Sequence, residues 1–214
     1  MRKERLRQVV FVIALVAIPF ILYTILEESK FGSRLSIQGP VTTVNGEKQY
    51  HTIANFAFVD QLGDTITQKD VEGKIYIANY FFVACPTICP TMSSNLQKIH
   101  QQYQNEDQLV ILSHSVDPVR DSVPVLYEYA QRYKADAAQW HFLTGSKKEI
   151  YLMARNSYLV TALDGDGGPT DFIHSELFVL VDQHRHIRGT YDGTDDSDIE
   201  DLKEDLDYLL EELR

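Results

Sequence analysis

The N-terminal segment constrains the fold of this 214-residue chain most strongly, because the eighteen residues 9–26 include no charged side chain. At ~1.5 Å per helical residue, such a segment spans roughly 27 Å, about the thickness of the hydrocarbon core of a bilayer. Four basic side chains and one acidic side chain lie within residues 1–8, whereas Glu27 and Glu28 follow the segment. This asymmetry predicts a single transmembrane helix whose N-terminus lies in the cytoplasm.

Two other interpretations of this segment compete with an anchor. A cleaved signal peptide needs a shorter apolar core and a cleavage site with small side chains, whereas bulky residues follow Ile18, Pro19 and Phe20. A buried helix of a soluble protein is the other alternative. We expect an uncleaved anchor, and the following organisation: a basic cytoplasmic tail at 1–8, an inner-membrane anchor at 9–26, a tether at 27–40 and a domain on the outer, periplasmic side at 41–214.

The remaining sequence has the composition of a globular domain, with 44% apolar and 24% charged residues in the whole chain. Its net charge of −11 argues against a nucleic-acid partner, since binding to phosphates needs an excess of Lys and Arg. Only two cysteines are present, which excludes a scaffold held by several disulfides.

Hydrophobic patterning predicts an α/β fold with a central mixed sheet flanked by helices. Asn45-Gly46 indicates a tight hairpin turn, and Asp121 is a candidate N-cap of a helix that runs to about Lys134. A loop rich in glycine is expected over 161–171. The other predicted elements are hairpins over 41–53, 56–67 and 176–192, strands over 75–83, 109–116 and 140–145, and helices from Pro90, over 147–156 and along the C-terminal residues after Ile199.

Two cysteines in the loop after strand 75–83 are the main candidates for chemistry. Cys85 and Cys89 are each followed by a proline, and Pro90 suits the first position of a helix. Cys89 is therefore expected at a helix N-terminus, where backbone N–H groups favour the thiolate and lower its pKa. A spacing of four residues brings both sulfurs to one side, where two thiolates suit a soft ion, Cu(I) above all.

Three structural interpretations of the cysteines are weaker than reactive or metal-binding thiols. Buried structural cysteines do not explain the proline after each of them. A structural disulfide would close a very short loop and contribute little stability. A structural zinc site needs four ligands, which two cysteines and scattered histidines supply poorly.

A neutral imidazole would complete a three-coordinate site, and His174 is the favoured candidate. It ends the glycine-rich loop and immediately precedes a strand, so a loop could carry it to the cysteines. The other histidines have structural interpretations: His51 and His100 on the surface, His114 in a buried strand facing either the core or the site, His141 packed at a strand start, and His184 and His186 beside a hairpin turn.

The chain resembles the Sco/SenC family in the segments NYFFVACPTICPTM, SHSVDPVRD and DFIHSELFVLVDQHRHIRGTYDG. These are membrane-anchored copper-delivery proteins of cytochrome c oxidase assembly, and the resemblance covers roughly residues 50–212. It implies a thioredoxin-like fold and a copper ion bound by Cys85, Cys89 and His174. It also implies delivery to the dinuclear copper centre of cytochrome c oxidase subunit II, by a carrier rather than an enzyme.

Two residues depart from the family pattern. Thr87 lies between the cysteines where the family often has an acidic residue, and Ile173 replaces a common Asp before the distal histidine. The loss of these charges should weaken binding of the harder Cu(II) more than binding of Cu(I). Two alternative functions use the same cysteines: a thiol–disulfide oxidoreductase in which Cys85 attacks, and a membrane-tethered redox sensor.

Overall fold

The computed structural model describes residue 11 and residues 13–23, 35–161, 173 and 175–214. The chain divides into two compact units, residues 1–36 and residues 37–214. In the first unit, residues 13–23 are helical and their apolar side chains are mostly exposed. No helix among the described residues has both the length and the apolar character needed to cross a membrane. The predicted tail, the remainder of the predicted anchor and most of the tether lie outside the described residues.

The second unit begins with two short hairpins, as the sequence predicts. In the first, Asn45 and Gly46 have φ angles of +54° and +86°, which a type I′ turn requires. In the second, Gly63 has a φ of +87°. The strands are β1 (Val41–Val44) paired with β2 (Glu47–Tyr50), and β3 (Ala57–Val59) paired with β4 (Thr65–Thr67).

A five-stranded mixed sheet forms the centre of this unit, in the order β7-β6-β5-β8-β9. Neighbouring strands are parallel among β5, β6 and β7, whereas β8 is antiparallel to both β5 and β9. Every residue of β5 and β6 is buried, as their continuous apolar sequences predict. The strands are β5 (Ile75–Phe81), β6 (Leu109–Ser115), β7 (Trp140–Leu143), β8 (Leu177–Val181) and β9 (Ile187–Asp192).

Helices cover both faces of the sheet, which confirms the predicted architecture. One apolar core joins one face of the sheet to α1, α2 and α4, and a second core joins the other face to the β3–β4 hairpin and α3. In α4, buried Ile199, Leu202, Leu206 and Leu209 form the predicted apolar stripe. The helices are α1 (Ile88–Gln102), α2 (Val123–Arg132), α3 (Lys147–Leu152) and α4 (Asp196–Glu212).

Helix boundaries differ from the sequence predictions in three places. Helix α1 begins at Ile88 rather than Pro90, because a proline within the first helical turn removes only an N–H that lacks an intrahelical partner anyway. Helix α2 is preceded by Ser122, so Asp121 does not cap it. Helix α3 ends at Leu152 and continues as a π-helical turn over Met153–Ser157. Residues 162–171 of the predicted loop lie outside the described residues.

Candidate metal centre

The cysteine loop leaves the carboxyl end of β5 and enters α1. Cys85 lies before the helix, and its backbone N–H donates to the Phe82 carbonyl over 3.2 Å. Cys89 is the second residue of α1 rather than the residue before its first turn. Both cysteines are free thiols, and they are 9% and 3% exposed, respectively. The centre therefore presents two reduced sulfurs at the end of the central strand, one outside the helix and one within its first turn.

The two thiols differ in acidity, and in the opposite sense to the sequence prediction for Cys89. Burial raises the pKa of the Cys89 thiol from 9.0 to about 12, and a hydrogen bond from the Phe82 backbone offsets only part of this effect. Burial also opposes ionisation of Cys85, but hydrogen bonds from the backbones of Cys89 and Thr87 outweigh it, so the pKa of Cys85 is lowered. The helix N-terminus therefore favours the thiolate of Cys85, whereas desolvation dominates at Cys89.

A cavity of about 170 Å³ lies between the cysteines and the irregular residues that precede β8. Both cysteines line it, and so do Ile173 and Ser175, the residues on either side of His174. His174 itself lies outside the described residues. Thr87 adds a hydroxyl to the wall, and the other lining residues are apolar or aromatic: Tyr80, Phe81, Phe82, Pro86, Ile88 and Val116.

Asp121 holds the cysteine loop against the end of β6, a role that the sequence analysis missed. Its Oδ2 accepts hydrogen bonds from the Val83 backbone N–H at 3.2 Å and from the Ser115 hydroxyl at 2.5 Å. The side chain is buried, with only 2% of Asp121 exposed. The Val83 bond joins residues 38 positions apart, so local helix-capping patterns give no indication of it.

We expect Asp121→Ala to lower the free energy of unfolding by about 2–4 kcal/mol, because it leaves two donors without their acceptor. Denaturant unfolding of the purified protein measures this change. Asp117→Ala is the matched control in the same loop, since its carboxylate pairs at 3.5 Å with the exposed Arg120. An exposed pair contributes only ~0–1 kcal/mol. Equal losses in the two variants would contradict the assigned role of Asp121.

The profile of the SCO1/SenC family matches residues 44–211, which is most of the chain. The chain belongs to the SCO1/SenC family. Among its relatives, the SCO1 protein homolog of Bacillus subtilis is 28% identical over 158 residues, which cover 73% of this chain and 81% of that protein.

Solved structures confirm the thioredoxin-like α/β fold of this SCO1/SenC protein. BsSco, a member of the Sco family of cytochrome c oxidase assembly proteins with an identified disulfide switch, superposes with a TM-score of 0.64 at 25% identity. That match covers 82% of this chain and 98% of BsSco. ScoI of Arabidopsis thaliana, solved with copper bound, gives a TM-score of 0.57 at 27% identity, covering 72% of this chain and 98% of that one.

The structure changes the interpretation of two histidines of this SCO1/SenC protein. His100 is buried rather than on the surface, because its Nδ1 lies 2.7 Å from the Gln139 side-chain oxygen and its Nε2 accepts from the Asp136 backbone. His51 is half-buried, with its Nε2 2.7 Å from the Ser157 carbonyl. His141 packs as predicted, 3.1 Å from Asp60 Oδ2.

His114 faces the core rather than the cysteine cavity. Its imidazole is fully buried, and neither ring nitrogen has a hydrogen-bond partner among the residues that the structure describes. Burial lowers its pKa to about 3, so the ring is neutral over the physiological range. Aromatic rings of the described residues pack around it: Tyr80 stacked at 5.1 Å, Phe58 at 5.5 Å, Tyr158 at 5.4 Å and Phe56 at 6.4 Å.

The donor set of the cysteine cavity fits a soft monovalent ion better than a hard divalent one. Among the described residues, no three Cys, His, Asp or Glu side chains form a cluster suited to a metal ion. Thr87 contributes only a hydroxyl, 3.8 Å from Cys85 Sγ, and Ile173 contributes an apolar side chain. Two thiolates in apolar surroundings are the ligands that Cu(I) prefers.

Proposed function

We propose that this protein binds one copper ion through Cys85, Cys89 and His174 and delivers it to the dinuclear copper centre of cytochrome c oxidase subunit II. One observation carries the proposal: a single cavity contains both free thiols and the residues on either side of His174. The copper-bound structure of a family member supports the choice of metal. Membership of a family that includes cytochrome c oxidase assembly proteins supports the choice of recipient.

The acidity of the two thiols suggests an order of binding. The lowered pKa of Cys85 gives it the larger thiolate fraction of the two cysteines at any pH, so Cys85 is the first ligand. Cys89 must then lose a proton that burial strongly retains, and the positive charge of the bound ion favours that loss. The neutral imidazole of His174 completes three-coordination. Because the ion changes ligands and not oxidation state, the protein acts as a carrier.

Release follows from the same ligand set. Cysteines of the recipient replace the thiolates one at a time, as in thiol exchange through a mixed intermediate.

We also propose that residues 9–26 anchor the protein in the lipid bilayer of the inner membrane, with residues 1–8 in the cytoplasm and the thioredoxin-like domain on the periplasmic side. The uncharged sequence and its charged flanks support this arrangement.

A thiol–disulfide oxidoreductase that keeps the recipient's cysteines reduced is the second candidate function. It is favoured by the asymmetry of the thiols, because a cysteine with a lowered pKa attacks while its buried neighbour stays protonated. The disulfide switch identified in BsSco is consistent with redox chemistry in the family. The two functions are compatible, since copper binding requires the dithiol state.

A copper titration distinguishes these functions. The full chain in detergent, kept reduced, is titrated with Cu(I) against a chromophoric chelator, together with Cys85→Ala, Cys89→Ala and His174→Ala. We expect one equivalent of copper for the unmodified protein, loss of binding in either cysteine variant, and at least about tenfold weaker binding in the histidine variant, since each removes one of three ligands. His141→Ala is the matched control, because this imidazole pairs with Asp60.

Other outcomes would reject parts of the proposal. Unchanged affinity in His174→Ala would show that the third ligand is another group. Negligible copper binding by the unmodified protein, with disulfide reduction at full rate in His174→Ala, would establish the oxidoreductase function instead.

A further inference from the structure

A second pair of potential metal ligands lies in the turn between β8 and β9. His184 and His186 are separated by one residue, and the centroids of their rings are 6.2 Å apart. His184 is exposed, and 19% of the His186 side chain is exposed. The carrier function proposed above uses neither residue.

Asp182 fixes the backbone of this turn. Its Oδ1 accepts hydrogen bonds from the backbone N–H groups of His184 at 2.9 Å and His186 at 2.8 Å. Its Oδ2 lies 3.1 Å from Arg188 Nη1, and only 2% of the Asp182 side chain is exposed. The two imidazoles therefore extend from a turn whose conformation is set by a buried carboxylate, which limits the entropy lost when they bind one ion.

The same carboxylate orients the ring of His186. Nδ1 of His186 is buried, has no hydrogen-bond partner within the described part of the chain, and lies 3.5 Å from Asp182 Oδ2. A negative charge beside Nδ1 favours the tautomer with the proton on that atom, which leaves the Nε2 lone pair to bind a cation. Carboxylate–histidine–metal arrangements of this kind are common around protein metal sites.

The spacing of the two rings fits a shared ion. With metal–nitrogen distances of about 2.0–2.1 Å, two imidazoles on one ion place their ring centroids roughly 5–6 Å apart, depending on the angle at the metal. The observed separation of 6.2 Å requires only a small movement of the exposed His184. We propose that His184 and His186 bind a divalent copper ion, with water in the remaining positions, because imidazole ligands favour Cu(II) over the other divalent ions of its row.

This site is separate from the cysteine cavity. Ser175 lines that cavity just before β8 begins, whereas Asp182 follows the end of β8. The five residues of β8 span about 16 Å, so one ion cannot bridge the two sites. The protein thus has a buried dithiol suited to Cu(I) at one end of the sheet and an accessible imidazole pair suited to Cu(II) at the other.

The test uses the full chain in detergent with Cys85→Ser and Cys89→Ser, which removes the dithiol and makes the result independent of the carrier function. Cu(II) alone is titrated against glycine as a competing ligand, and the bound ion is examined by electron paramagnetic resonance. We expect one saturable site with two coordinated nitrogens from imidazole. His184→Gln should weaken binding at least about tenfold and leave one nitrogen, and His186→Gln should do the same.

His141→Gln is the matched control, because His141 also lies beside a carboxylate, 3.1 Å from Asp60 Oδ2, but belongs to β7, where it is the only histidine. It should leave the affinity unchanged. His184 is exposed, so its variant should fold normally, and far-ultraviolet circular dichroism verifies this. Unchanged affinity or an unchanged nitrogen signal in His184→Gln would overturn the proposal, as would Cu(II) binding that does not saturate.

Discussion

Cys85 should react with iodoacetamide at least about thirty times faster than Cys89 in the reduced, metal-free protein at pH 8. Only the thiolate is alkylated, and raising a pKa from 9.0 to about 12 reduces the thiolate fraction at this pH about a thousandfold. The more basic thiolate of Cys89 is intrinsically more nucleophilic, which raises its alkylation rate somewhat more than tenfold and offsets part of this difference. The lowered pKa of Cys85 widens the difference again.

Mass spectrometry of peptides after timed alkylation measures both rates in one sample. The rate at Cys85 should level off below pH 9, whereas the rate at Cys89 should keep rising about tenfold per pH unit toward pH 12. In Cys85→Ser, Cys89 should remain slow, because burial is the largest cause of its raised pKa. Alkylation in urea is the control, since unfolding removes both environments. Faster alkylation of Cys89 than of Cys85 in the folded protein would refute the assignment.

Acid should destabilise the protein through His114 before most carboxylates titrate. The imidazole has a pKa of about 3 when folded and about 6.5 when unfolded, because burial disfavours its charged form. Above pH 6.5 the imidazole is neutral in both the folded and the unfolded state. As the pH falls from 6.5 toward 3, the unfolded state binds a proton that the folded state does not, so stability is lost. Between pH 7.5 and 4.5 this one group should lower the free energy of unfolding by about 3 kcal/mol.

The surroundings of His114 make it the source of this pH dependence. Among the described residues, the ionisable groups in ring contact with it are the phenols of Tyr80 and Tyr158; burial raises the pKa of each, so both remain neutral in acid. His114→Phe replaces the imidazole by another ring among aromatic neighbours and should remove the 3 kcal/mol difference between the two pH values. His114→Leu provides a second apolar replacement.

Urea unfolding gives the free energy of unfolding at pH 7.5 and at pH 4.5, and the change between the two pH values is compared between the unmodified protein and the His114 variants. His184→Gln is the control, because His184 is exposed in the β8–β9 turn and should leave the pH dependence unchanged. An equal loss of stability with falling pH in the unmodified protein and in both His114 variants would show that another group is responsible.

The sequence correctly predicted the features that depend on residues close together in the chain. Asn45-Gly46 indicated the first hairpin turn, because both positions need a positive φ, and both have one. The spacing of Ile199, Leu202, Leu206, Leu209 and Leu213 predicted α4: the first four are buried in the core, and Leu213, just after the helix, packs partly buried against it. The spacing of Cys85 and Cys89 predicted that their sulfurs lie on one side, and both line the same cavity.

The errors concern residues whose environment depends on distant parts of the chain. The sequence indicated that Cys89 begins a helix but not how deeply the residue is buried, and burial reverses the expected direction of its pKa. Asp121 resembled an N-cap, yet it binds Val83 and Ser115 on other elements. His100 lies on a polar part of α1, but Gln139 and Asp136 from another segment cover it.

The pairing of β5 with β8 determines which insertions and deletions the cysteine site can tolerate. Ala78 of β5 pairs with Val179 of β8, and because these strands are antiparallel, the carboxyl end of β5 lies beside the start of β8. The cysteine loop leaves the first of these ends, and Ser175 precedes the second. Backbone pairing therefore sets the distance between the thiols and Ser175, independently of the number of residues in the connection after Thr161. Insertions and deletions in that connection are compatible with the site, whereas a register slip between β5 and β8 is not.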